Sequence, residues 1–266
     1  MNSGSTQGRK YVLTRRLDAF FMGIYKAFQF VIRFFKEAFV PPYEFSEIVR
    51  QCYEIGYKSL PLISLTGFIT GFVFTKQSRP SLAEVGATSW LPSLVAIAMI
   101  RALAPLVTSL IAAGKIGSKI GAELGSMKVT EQIDAMEVSA VNPFKFLVVT
   151  RVLATTIMIP VLMMYTGMVG LLGSYIDINM NELTSLTTFF QKAFEKISFL
   201  DFGTSIVKAV AYGFTIGMVG CYQGYKASQG TEGVGKAANS SVVISIFLIF
   251  LEEILIVQIA NGIRFQ

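Results

Sequence analysis

The sequence predicts an all-α polytopic membrane protein: an N-terminal interfacial amphipathic helix, five transmembrane helices, and a short polar helix between the second and third spans. Three observations carry this reading. Of 266 residues, 53% are hydrophobic and only 15% charged, whereas soluble domains carry about 25% charge. The mean hydropathy is +0.57. The apolar residues also collect into runs long enough to cross about 30 Å of hydrocarbon at 1.5 Å per residue.

Residues 1–14, rich in Gly, Ser, Gln and Lys, read as a disordered cytoplasmic tail, with no cleavable signal sequence. Over 15–42, Leu17, Phe20, Phe21, Ile24, Phe28, Val31, Ile32, Phe35 and Phe39 recur at three- and four-residue spacing. Arg16, Lys26, Arg33 and Lys36 interrupt them, which suits a helix lying at the headgroups, and Pro41 and Pro42 end it. Spans are expected near 54–75, 91–116, 146–176, 203–222 and 239–262, together forming a five-span domain over 43–266. The segments 1–58, 115–151 and 223–237 hold sixteen basic residues, against six in 76–90, 177–208 and 263–266. The positive-inside rule therefore places the N-terminus in the cytoplasm. The net charge of +6 marks these loops rather than a nucleic-acid surface.

Two sets of glycines fall into stripes. Gly114, Gly117, Gly121 and Gly125 form one, and Gly213, Gly217, Gly220 and Gly224 the other. In lipid, such stripes let helices approach closely. Thr130 is expected to cap a helix near 127–141 whose first turn holds Glu131, Gln132 and Asp134, with Asn142 and Pro143 stopping it. Ile133, Met136 and Val138 give that helix an apolar side, while Glu123, Lys128, Glu131, Asp134 and Glu137 give it a charged one, a pattern suited to docking on another protein.

Several chemistries are excluded. The chain has no histidine, which removes His-based nucleophilic sites, His-ligated metals and imidazole relays. Cys52 and Cys221 lie far apart, without a C-x-x-C pair. No G-x-x-x-x-G-K-[ST] loop is present, so ATP phosphates have no cradle of that kind in this chain.

The run GAELGSMKVTEQIDAMEVSAVNP at 121–143, with GCYQGYKASQGTEGVGKAANSSVV at 220–243, resembles the two signature stretches of MlaE/YrbE-type permeases, and the resemblance covers nearly the whole chain. It implies the membrane subunit of an ABC transporter that moves phospholipids or other lipids between a bacterial inner membrane and the cell envelope. Two copies would pair around a lipid cavity, with a cytoplasmic ABC ATPase dimer beneath them and a ring of MCE-domain proteins on the other side. No cofactor is expected on this chain, ATP and Mg belonging to the ATPase. The family's coupling helix would correspond to about 127–141, with Glu123, Met127, Lys128, Thr130, Glu131, Gln132, Asp134, Met136 and Glu137 at the docking surface.

One stretch departs from the family pattern. Where members commonly carry an Arg-Glu pair in the second span, this chain reads Arg101, Ala102, Leu103, Ala104, Pro105. An unpaired charge near mid-membrane costs at least about 2.5–3.5 kcal/mol. Glu252 and Glu253 of the fifth span, at a similar expected depth, are the predicted partners of Arg101. An ion-driven secondary transporter using Arg101, Glu252 and Glu253 as its relay, or a membrane scaffold without transport, are the alternative readings.

Overall fold

The structure, a computed structural model, describes residues 4–41, 43–228 and 230–264. Among these residues all regular structure is helical. Residues 1–43 and 44–266 form two separate units. The first is a single helix, α1, Gly4–Ala38. It begins well inside the stretch expected to be a disordered tail, and no proline interrupts it before Pro41.

The second unit contains α2 (Phe45–Glu84), α3 (Thr88–Val129), α4 (Gln132–Val138), α5 (Phe144–Glu182), α6 (Leu186–Glu195), α7 (Phe199–Tyr225) and α8 (Thr231–Arg264). Of these, α2, α3, α5, α7 and α8 are long and apolar enough to cross a membrane. Helices suit that role because every backbone group is paired within its own segment. All five extend past the expected spans, since the polar flanks continue the helix after the apolar run ends. The first carries an amphipathic base, Phe45–Gly56, that a 3₁₀ turn at Tyr57–Ser59 joins to the apolar part. α5 is the central helix, touching α2, α3 and α7, whereas α8 lies against α3 and α7 at the edge. The most apolar stretch of α5 is accordingly 61% buried and that of α8 only 11%.

The closest seam is between α2 and α5. A Cβ at Gly71 would overlap the Gly170 carbonyl, and one at Gly173 would overlap the Phe68 carbonyl. Ser174 donates to the Gly71 carbonyl at 3.1 Å. Farther along, Arg79 bonds Asp177 and Glu182, both at 2.7 Å. Between α3 and α5, the hydroxyls of Thr108 and Thr166 meet at 2.7 Å.

The two predicted glycine stripes divide their work. Gly213 and Gly217 face Thr155 and Val152 of α5, while Gly220 and Gly224 turn to Ile120 and Leu124 of α3. At about 100° per residue the four stay within about 60° of one another, so a single face of α7 meets α5 over its first half and α3 over its second. Gly121 and Gly125 receive Ala237 and Ser241 of α8 and its approach, and Gly117 lies in ordinary contact with Ile216. Gly114 departs from the expected stripe, having open space where its Cβ would be. The π turn at Ala113–Gly117 changes the helical register there and turns Gly114 away from its neighbours.

Gly71→Val is expected to lower thermal stability by about 1–3 kcal/mol or more, since backbone and not a flexible side chain opposes the added atoms. Gly114→Ala should leave the fold unchanged. Thermal unfolding of the two variants in one detergent checks the difference.

Candidate functional site

Two groups of polar side chains stand out from the apolar bundle, one near each end. The first lies where α3 and α7 begin and α8 approaches its C-terminus. Arg101 sits within a π turn, Met99–Leu103. A π turn shifts the hydrogen-bond register and releases a backbone carbonyl from its usual partner. α7 supplies the missing donors: the Ser205 hydroxyl bonds the Ile100 carbonyl at 2.6 Å and the Lys208 ammonium bonds the Arg101 carbonyl at 3.0 Å.

The Arg101 guanidinium forms a side-on double contact with Asp201, Nε to Oδ1 at 2.7 Å and Nη2 to Oδ2 at 2.9 Å. Asp201 is itself fixed by a capping box with Ser198, whose N–H it accepts at 3.0 Å. Lys208 also bonds Glu253 Oε1 at 2.7 Å, and the Tyr212 hydroxyl donates to the other oxygen of Glu253. Glu252 accepts from the Thr215 hydroxyl, and its Oε2 has no partner among the described residues. Alongside these groups is a cavity of about 220 Å³ with Leu200, Val257, Ala260 and Asn261 on its other walls.

The expected pairing of Arg101 with Glu252 or Glu253 is therefore replaced by two pairs, Arg101 with Asp201 and Lys208 with Glu253. The physical reason lies in two helix starts. The fourth span opens at Phe199 and not near 203, which brings Asp201 into the same helix as Lys208. α8 opens at Thr231, so Glu253 stands 22 residues, about 33 Å, along it and well past the middle. Ser198 followed by Asp201 ahead of an apolar run is a capping-box signature, and it is the signal that could have located the acid.

The second group lies at the opposite end, around a groove of about 530 Å³ lined by residues including Arg50, Glu54, Lys119, Glu123, Gln132 and Arg151. Glu54 accepts from Lys58 at 2.5 Å and from Lys119 at 2.9 Å. Glu123 meets Lys119 at 3.6 Å and Arg151 at 3.5 Å. Charges from α2, α3 and α5 thus form one chain of contacts.

The polar helix expected over 127–141 proves to be two pieces. α3 continues through Met127 and Lys128 to Val129, Thr130 closes it by donating to the Ser126 carbonyl, and α4 occupies only Gln132–Val138. Thr130 therefore ends one helix and does not cap the next. Glu131, at φ 57°, makes the corner, and Ala140, at φ 60°, makes another after α4. Such conformations are uncommon for residues with a Cβ and hold only where the surroundings fix them. Ile133 is the anchor, 2% exposed, while Val138 is 90% exposed and Glu131, Asp134 and Glu137 point outward. Asp134 bonds Lys128 across the corner at 2.8 Å. Met136 is half-buried, so the anticipated apolar side is split between an inward anchor and an outward tip.

Lys208→Met, which leaves Glu253 without its cation, should destabilise the protein by about 3–5 kcal/mol. The Arg101→Ala and Asp201→Asn variants should show a coupling energy of about 0.5–3 kcal/mol, whereas Arg101→Ala and Glu253→Gln should combine almost additively, since Lys208 holds Arg101 through its backbone. Thermal unfolding of the single and double variants measures both.

Comparison with known proteins places this architecture. The family model described as permease MlaE matches residues 48–259. A protein of Rickettsia typhi named "Probable ABC transporter permease protein" is 35% identical over 242 residues, covering 90% of this chain and 91% of that one. Proteins given the same description in Synechocystis and in Pyropia yezoensis are 30% and 32% identical, over 77% and 78% of this chain and 78% and 79% of their own. The match runs through both polar groups and all five long apolar helices, and the chain belongs to the MlaE family of ABC transporter permeases.

Proposed function

We propose that this permease moves phospholipid or a related lipid between the inner membrane and the cell envelope, as a homodimer around an apolar cavity, driven by a separate cytoplasmic ABC ATPase and served on the far side by a ring of MCE-domain proteins. ATP and Mg would bind the ATPase. The supporting observation is the cavity beside Arg101, which sets paired charges from α3 and α7 against Val257 and Ala260 of α8. One polar wall and one apolar wall match an amphiphile.

Its volume of about 220 Å³ suits a headgroup and not a whole phospholipid. The acyl chains need further apolar surface, and α8 offers Phe247, Ile254 and Leu255, each more than half exposed. A second copy facing α8 would complete the enclosure. Because Arg101, Lys208 and Glu253 already hold protein partners, the cluster is better suited to forming a fixed polar wall than to relaying ions.

At the other end, the corner at Glu131 and α4 present Glu131, Asp134, Glu137 and Val138 outward beside the charged groove. We assign this surface to ATPase docking, with the N-terminus on the same, cytoplasmic side.

Reversing Glu131 and Asp134 to Lys should weaken co-purification with the ATPase at least about tenfold, the effect of about 1.4 kcal/mol of charge mismatch. Unchanged yield and coupled hydrolysis would refute this assignment. Mass spectrometry of the intact complex should show two permease copies and bound lipid, with the lipid reduced in Arg101→Ala. A monomeric permease in an active complex would refute the enclosure.

A further inference from the structure

A groove separate from the Arg101 cavity runs along the outside of the bundle near the start of α3. Its volume is about 400 Å³, and Leu82 of α2 with Leu94, Ile97 and Ala98 of α3 make its walls. Trp90, which precedes Leu94, Ile97 and Ala98 on α3, stands with Lys196 toward the start of that helix. The polar Ser93 nearby is occupied, its hydroxyl donating to the Lys192 carbonyl at 2.6 Å. The groove itself therefore offers hydrocarbon along its length and a cation at its end.

That cation is held in place. The Lys196 ammonium lies 4.2 Å from the centroid of the Trp90 ring, close enough for the ring's quadrupole to attract it. No carboxylate pairs with Lys196 among the described residues. A ring covers only one side of an ammonium, which leaves N–H donors free on the other. Tryptophan also favours the level where hydrocarbon meets headgroups, so the charged end of the groove sits at headgroup depth and the apolar walls below it.

We propose that this groove binds an anionic phospholipid, with an acyl chain along Leu82, Leu94 and Ile97 and the phosphate at Lys196. Charge complementarity selects this occupant. An apolar groove alone would accept any chain or another helix, but a positioned cation without an internal counter-ion calls for an anion at that end. The site does not depend on what the permease transports.

Trp90 is the only tryptophan in the chain, so its fluorescence reports on this groove alone. The full-length protein would be reconstituted in phosphatidylcholine vesicles containing brominated phosphatidylglycerol or, in parallel, brominated phosphatidylcholine. The phosphatidylglycerol should quench Trp90 at an about fivefold lower mole fraction, the preference one cation near the surface confers. Lys196→Gln should abolish that preference, while Lys196→Arg, and Lys226→Gln at the opposite end of α7, should keep it. Equal quenching by the two lipids in the native protein, a preference that survives Lys196→Gln, or no quenching by either lipid, as when protein covers the groove, would each overturn the proposal.

Discussion

A carbonyl that loses its helical partner inside a membrane has no water to replace it, and this constraint organises the charged end of the permease. The π turn at Met99–Leu103 brings Arg101 into the bundle and loosens the carbonyls around it. α7 answers with Ser205 and Lys208, and Lys208 in turn requires Glu253. One irregular turn thereby fixes the relative heights of three helices. The same device recurs at the start of α5, where Arg151 bonds the carbonyl of Leu147, within the π turn Phe144–Val149, at 3.0 Å. In both places a long cationic side chain serves as a backbone hydrogen-bond donor and as a member of an ion pair.

The seam between α2 and α5 works by another route. Gly71, Gly170 and Gly173 bring two backbones together, so dispersion and the Ser174 hydroxyl hold the pair without a hydrophobic driving force between the helices. Charges lie toward its ends: Arg79 joins Asp177 and Glu182 at one, and Glu54 and Arg151 line the groove at the other.

Much of this could be seen in the sequence. Five apolar runs and an uninterrupted helical pattern depend on composition, and they survive in the structure because lipid leaves a chain few alternatives. Gly121, Gly125, Gly220 and Gly224 also pack closely, as their spacing implied. The seam made by Gly67, which meets Thr166, with Gly71, Gly170 and Gly173 is not legible in the sequence, because it is shared between two segments a hundred residues apart. The partner of Arg101 is not legible in the sequence for a related reason: ion pairs form between residues at equal height, and height depends on where each helix starts. A shift of four residues in the start of α7 moves its side chains by about 6 Å. The corner at Glu131 could not be read from residue type, since a left-handed glutamate is held by its surroundings and not by its own preference.

α3 is helical from Thr88 to Val129, and it carries both Arg101 and Lys128. The 27 residues between them span about 40 Å, joining the paired charges at one end of the bundle to the corner before α4 at the other. Such a helix is a lever. A tilt of about 5° with one end held displaces the other by about 3.5 Å over that length, comparable with the shifts by which packed helices switch partners. Because Arg101 is clamped to Asp201 and the corner at Glu131 is held by its surroundings, a displacement at that corner is carried along α3 toward a fixed point at the charged cavity.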